Sequence, residues 1–169
     1  MKNYIYKFAF ISMFFLVFSS CSTNNNSVSR AAESIEIIID NGIPQNYSYN
    51  IIAKDYPMTP TSGYNCEFTI TSEDLSANTF IANLGMQVAT CPFTVTAPFS
   101  NTMTGSLSPF FIIPGINFDD AAANSINFNI IAFGDNPGDD IDIVLSGTFY
   151  VVSDPNPHTL LITIHVHRD

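Results

Sequence analysis

Tryptophan is missing from the chain, Lys and Arg together number 5 in 169 residues, and only 12% of the residues are charged. Each shortage removes a class of function. Phosphate recognition depends on clustered Lys and Arg that displace counterions, so nucleic acid is not expected as a partner. Sugar binding would have to find its stacking surfaces in Tyr alone. No Gly-rich phosphate loop, Gly-x-Ser-x-Gly elbow or His-Glu-x-x-His helix appears, which takes away the strongest enzyme signatures.

What the chain has in quantity is apolar and uncharged polar residues. With 46% hydrophobic residues and so few charges, its surface must be built largely of Ser, Thr and Asn, and disorder is not expected for most of it. The length suits one domain, since roughly 150 residues bury about two thirds of the unfolded chain's surface in a single core.

The first 20 residues stand apart. Lys2 and Lys7 precede the apolar run Phe8 to Phe18, which is followed by Ser19, Ser20 and Cys21. This is the order of a secretory signal: cations, a short apolar stretch, then small residues at a cleavage site. Eleven helical residues reach roughly 16 Å, about half of a bilayer's hydrocarbon core, so the run is too short for a stable transmembrane span.

Phe18-Ser19-Ser20-Cys21 resembles the lipobox of bacterial lipoproteins, with Phe18 where that family usually carries Leu. The resemblance implies removal of residues 1–20, a diacylglycerol thioether on Cys21 and acylation of the new amino group. Two or more acyl chains anchor a protein stably, at about 0.8 kcal/mol per buried methylene. Residues 21–32 then form the lipidated cysteine and a polar tether, Ser22 to Ser29 having no hydrophobic periodicity. In that family an Asp after the cysteine marks retention in the inner membrane, so Ser22 implies sorting to the outer membrane. The Phe-rich signal and Asn-rich tether are similar to Bacteroidota lipoproteins, whose surface-exported members carry an acidic cluster after the cysteine. None follows Cys21, and the periplasmic or external face is left open.

Without residues 1–20, Arg30, Lys54 and Arg168 face all 15 acids, a net side-chain charge of −12. Anionic headgroups would repel such a body from the bilayer to which its lipid ties it.

From Glu33 to Asp169 the dominant pattern has period two. Ile35, Ile37 and Ile39 alternate with polar residues up to an Asn41-Gly42 turn, and Tyr47 to Lys54 repeats the alternation. Cys66 to Thr71, Cys91 to Ala97, Ile126 to Ala132, Ile141 to Val152 and Leu160 to Val166 behave likewise, with Phe80 to Leu84 and Met86 to Ala89 as a further short strand or hairpin. Leu107 to Ile113, broken by Pro109, suits an edge position or a bulge. Asp154 to Pro157 is expected to be a turn, and Phe118 to Ser125 holds the one helical stretch expected, of two turns at most. Seven to nine short strands predict an all-β fold, a single antiparallel β-sandwich domain over 33–169, immunoglobulin-like or a related Greek key, with a closed barrel as the alternative. Its closing hairpin, Leu145 to Tyr150 with His165 to Arg168, looks like the ends of uncharacterised β-sandwich lipoproteins.

Candidate chemistry is sparse. With Cys21 lipidated, Cys66 and Cys91 form an even pair in an oxidising compartment and are expected to make a disulfide, both lying on apolar strand faces. Asp135, Asp139, Asp140 and Asp142 crowd one loop; this is either a solvated acidic hairpin or an oxygen-rich Ca²⁺ site, though its spacing is not that of an EF-hand. His165 and His167 alternate with apolar residues and so share a strand face, as zinc ligands sometimes do, but with no third ligand identified they are expected to form a solvent-facing polar stripe. Glu67, Glu73 and Asp74 supply carboxylates without fixing the separation that glycoside hydrolysis needs. Tyr56 and Tyr64 flank a Pro-restricted stretch, where aromatic residues offer contact area for little side-chain entropy. No cofactor is expected. These features together point to a lipid-anchored envelope protein with a non-catalytic binding or accessory role beside an envelope protein partner. A glycan-binding or adhesin module is the alternative, and a metal-dependent hydrolase a distant one.

Overall fold

A computed structural model describes residues 31–57, 66–73, 79–83, 91–108 and 110–169. Among the described residues ten strands run in chain order: β1 Ser34–Ile39, β2 Gln45–Tyr47, β3 Ile51–Pro57, β4 Cys66–Glu73, β5 Thr79–Asn83, β6 Phe99–Thr104, β7 Phe111–Ile112, β8 Ser125–Phe133, β9 Asp140–Val151 and β10 Asp154–His167. They form two antiparallel sheets, one of six strands in the order β2-β1-β10-β9-β8-β6 and one of four in the order β3-β4-β5-β7. The fold is an all-β sandwich, and the described residues alone hold one more strand than the upper expectation. No helix occurs among the described residues, and so none is long and apolar enough to cross a membrane.

Strict alternation explains the core. Ile35 and Ile37 of β1, Ile141, Ile143 and Leu145 of β9, and Leu160, Ile162, Ile164 and Val166 of β10 are all buried, facing Phe68, Ile70, Phe80 and Ala82 of the smaller sheet. Between the sheets Phe68, Phe93 and Phe133 form a ring cluster with centroids 5.0–6.0 Å apart. Close approach of β8 to β9 depends on Gly147, where a Cβ would stand 2.1 Å from the Ser125 carbonyl oxygen. The β1–β2 turn places Asp40 and Asn41 at φ of 52° and 55°, a left-handed geometry that Asp and Asn tolerate. Each sheet has one very short edge strand, β2 of 3 residues and β7 of 2, opposite a longer one, β6 of 6 residues and β3 of 7.

Several sequence expectations need correction. Tyr47 to Lys54 is two strands in different sheets, because Asn50 turns the chain at φ 46°. Cys91 to Ala97 is not a strand: Pro92 has no N–H for a ladder, and the Phe93 N–H goes instead to Asp55 Oδ1 at 2.9 Å. Cys66 is fully buried, as its strand face requires, whereas Cys91 is exposed. In β8 a bulge between Ile130 and Ala132 shifts the inward face, so that Phe133 is buried where Ala132 was expected. The β9–β10 turn is at Val152 and Ser153, and Asp154 to Pro157 belong to the irregular start of β10. The stretch expected to be helical is not: Phe118 makes an isolated antiparallel bridge to Val151, residues 119–124 are turn and coil, and Asn124 donates Nδ2 to the Gly105 and Asp119 carbonyls. The Met86 to Ala89 part of the expected hairpin lies outside the described residues.

The C-terminus joins the two sheets. Arg168 is buried, with Nη1 donating to the Gly134 carbonyl at 2.9 Å, Nη2 to the Phe93 carbonyl at 2.9 Å and to Asp55 Oδ2. Its guanidinium lies 5.0 Å from the Phe68 ring centre and 5.4 Å from that of Phe133. Asp169 adds a two-way tie to Ala53 of β3, accepting its N–H at 2.7 Å and donating to its carbonyl at 2.9 Å.

Candidate functional site

The end of the β9–β10 ladder puts four polar side chains on the solvent face of the larger sheet. Since Ile164 and Val166 point into the core, His165 and His167 must point outward, opposite Asp142 and Asp140 respectively. The histidines are not a free polar stripe. His165 Nδ1 is 2.6 Å from Asp142 Oδ1, and His167 Nδ1 is 3.2 Å from Glu33 Oε1, just ahead of β1. A carboxylate only accepts, so both rings carry their proton on Nδ1 in these bonds. Glu33 Oε1 also accepts the His167 backbone N–H at 2.8 Å, which fixes the carboxylate to the end of β10.

That tautomer leaves the Nε2 lone pairs. Among the described residues neither His165 Nε2 nor His167 Nε2 has a hydrogen-bond partner, although both atoms are shielded from solvent. His167 Nε2 is nevertheless only 3.2 Å from Asp140 Oδ1. Asp140, His165 and His167 each bring one ligand atom to within 4.8 Å of the other two, the one such gathering of three among the described residues. The two rings meet edge to face, with centroids 5.7 Å apart.

The acidic loop divides its carboxylates among different tasks. Asp139 Oδ2 accepts from the Asn136 backbone N–H at 2.9 Å and from its side chain at 3.1 Å, closing the loop on itself. Asp140 and Asp142 turn to the histidines, and Asp135 is exposed. Of the two tyrosines, Tyr56 is at the end of β3, 40% exposed, with Lys54 Nζ 5.0 Å above its ring. Tyr64 and Cys21 lie outside the described residues. Cys66 and Cys91 are joined by a disulfide, with Cα atoms 5.0 Å apart.

A second histidine group sits at the other end of β10. His158 Nδ1 is 2.7 Å from Asp40 Oδ2, and Nε2 is 3.5 Å from Asp154 Oδ2. The bond to Asp40 raises the His158 pKa above 6.5 against the opposing effect of burial. The same bond, with the Thr159 N–H, holds Asp40 below 3.8. Asp154 is lowered chiefly by the Asn156 N–H. Nearby, a cleft of about 440 Å³ opens between Asp119, Ala122, Tyr150 and Pro155.

Spacing alone puts the two histidines on one face and marks Asp140 as an oxygen ligand for Ca²⁺, but it neither joins Asp140 to the histidines nor points to Glu33. The signal for Asp140 was present, because Asp140 and Asp142 have the same two-residue spacing on the strand that pairs with β10. No family model, curated protein or solved structure matches the chain.

Proposed function

We propose that the chain is an envelope lipoprotein, held in the outer membrane by acyl groups on Cys21, whose β-sandwich serves as a non-catalytic binding or accessory subunit. The observation that carries this reading is the run from Phe8 to Cys21, an apolar stretch too short to span a bilayer and ending in Ser-Ser-Cys. A body tied to a membrane by about a dozen tether residues gains local concentration beside other membrane components. The stapled sandwich supplies a rigid frame on which loops and strand ends can differ without loss of the core. Tyr56 offers an exposed aromatic edge at one such end, and Tyr64 follows in the same connection. The acidic segment 135–142 would steer a basic partner.

Co-purification from native membranes tests the reading, wild type against Tyr56→Ala/Tyr64→Ala. A specific envelope protein retained by wild type and lost from the variant is the expected result. Capture of glycans with no protein partner would favour the adhesin alternative, and hydrolytic turnover without any partner would refute both. Cys21→Ala is expected to move the protein out of the detergent phase, since the tether offers no other membrane-binding element.

A further inference from the structure

We propose that His165 and His167, through Nε2, and Asp140, through Oδ1, bind one divalent transition-metal ion, with zinc as the natural candidate, on the outer face of the β9–β10 ladder. The proposal is independent of the lipoprotein reading and goes beyond it. Two imidazoles and a carboxylate suit zinc, copper, nickel or iron, whereas Ca²⁺ and Mg²⁺ take oxygen ligands.

Three observations converge. The first is tautomer control. Asp142 and Glu33 accept from Nδ1 at N···O distances of 2.6 and 3.2 Å, the carboxylate–histidine arrangement that orients metal-binding imidazoles and makes Nε2 the ligand. The second is the state of the Nε2 atoms, both shielded from water and without a hydrogen-bond partner among the described residues. A shielded polar atom without a partner costs free energy, and a cation would remove that cost. The third is the pair His167 Nε2 and Asp140 Oδ1, 3.2 Å apart yet not aligned as a hydrogen bond. Ligands of one ion approach in this manner, because their lone pairs aim at a common point and not at each other.

The spacing fits. Bonds of about 2.0–2.1 Å at tetrahedral angles set ligand atoms roughly 3.4 Å apart. No two of the three ligand atoms are more than 4.8 Å apart, and the Asp140 side chain, 61% exposed, is free to swing inward. The histidines themselves are fixed by strand register and by their carboxylates, so most of the ordering is complete before the ion arrives. Three protein ligands leave a fourth position for water or a donor atom from outside.

The test uses the full chain in detergent micelles, free of any polyhistidine tag and stripped with a chelator. Calorimetric titration with Zn²⁺ at pH 7.5 is expected to show one saturable site. His165→Gln and His167→Gln should each weaken it at least about tenfold, and Asp142→Asn should weaken it by about ten- to a hundredfold as an orienting residue. His158→Gln should leave it unchanged, and millimolar Ca²⁺ should not compete. Should the histidine variants fold poorly, the Cu²⁺ electron paramagnetic resonance spectrum of wild type decides, with hyperfine splitting from two imidazole nitrogens expected. No saturable zinc site in wild type, zinc affinity indifferent to both histidine substitutions, a copper spectrum without two nitrogens, or displacement of zinc by Ca²⁺ would each overturn the proposal.

Discussion

Arg168 ties the two sheets, and its replacement should cost the fold heavily. Its guanidinium is buried between the sheets, paired with Asp55 and bonded to the Gly134 and Phe93 carbonyls, so Arg168→Met leaves three acceptors without their charged donor. Met preserves much of the aliphatic stem and the contact with Phe68 and Phe133, which confines the loss to the polar partners. Asp55 decides the magnitude: its side chain is only 22% exposed, and water cannot fully take over. Removing one member of a buried pair costs about 3–5 kcal/mol, because the other charge stays buried and unpaired. Against a total stability of about 5–15 kcal/mol that is a large fraction. The assay is urea unfolding of the oxidised protein, comparing midpoints at equal m-value. Asp55→Asn/Arg168→Met should be less destabilised than the two single variants summed, since the introduced amide still has an oxygen for the Phe93 N–H while no longer holding a charge. A cost below about 1 kcal/mol for Arg168→Met, or strict additivity in the double variant, would refute the assignment of the C-terminus as the tie between the sheets.

Other contacts of the sandwich carry expectations of their own. Reducing the Cys66–Cys91 bond, whose residues are 25 apart, should remove about 3.5 kcal/mol of stability in the chain-entropy model, and two freely alkylatable thiols in denatured, unreduced protein would contradict the bond itself. Gly147→Ala should destabilise by about 3 kcal/mol or more, because the new methyl meets the Ser125 carbonyl oxygen and the Ile126 Cα, both backbone; an unchanged melting temperature would mean that β8 and β9 are farther apart. The raised His158 pKa contributes stability that is complete below 6.5 and lost as pH rises through the higher folded value. The lowered Asp40 pKa contributes above 3.8 and is lost as pH falls through the lower folded value, so the pair stabilises most between those limits. With chelator present, wild type should melt higher at pH 5.5 than at pH 8.5 by a margin that shrinks in His158→Gln; equal margins in both proteins would exclude the pair as a pH-dependent contact.

The sandwich was legible where burial alone sets the pattern. β1, β9 and β10 are central strands with one face on the core, so every second residue is apolar and the period is unambiguous. Edge strand β6, Phe99 to Thr104, escaped because its residues are mostly exposed and carry no such alternation. Cys91 to Ala97 misled for the opposite reason: apolar residues recur at every second place, but Pro92 and Pro98 remove donors and the segment bonds to Asp55 and Arg168 instead of a neighbouring strand. The bulge in β8 likewise depends on packing across the interface, where Phe133 joins Phe68 and Phe93.

The candidate site was half legible. Shared faces follow from spacing, which puts His165 with His167; Asp140 and Asp142 have the same spacing but read as an acidic loop, whereas both belong to β9. Their meeting with the histidines depends on the β9–β10 register, and that register slips by two residues between Asp154 and His158. A slip of two keeps every side chain on its face, so parity was readable while the partner of each histidine was not. Glu33 enters from just ahead of β1, through the pairing of β1 with β10, strands far apart in sequence, which no local pattern announces.

The claim that this sandwich is a lipid-anchored envelope protein is tested most directly by the intact mass of the protein extracted from native membranes. The account predicts a chain beginning at Cys21, carrying diacylglycerol and an amino-terminal acyl group, and lighter by two hydrogens than its reduced form because Cys66 and Cys91 are joined. A chain with an unmodified Cys21, or one that begins elsewhere and carries no lipid, would contradict it.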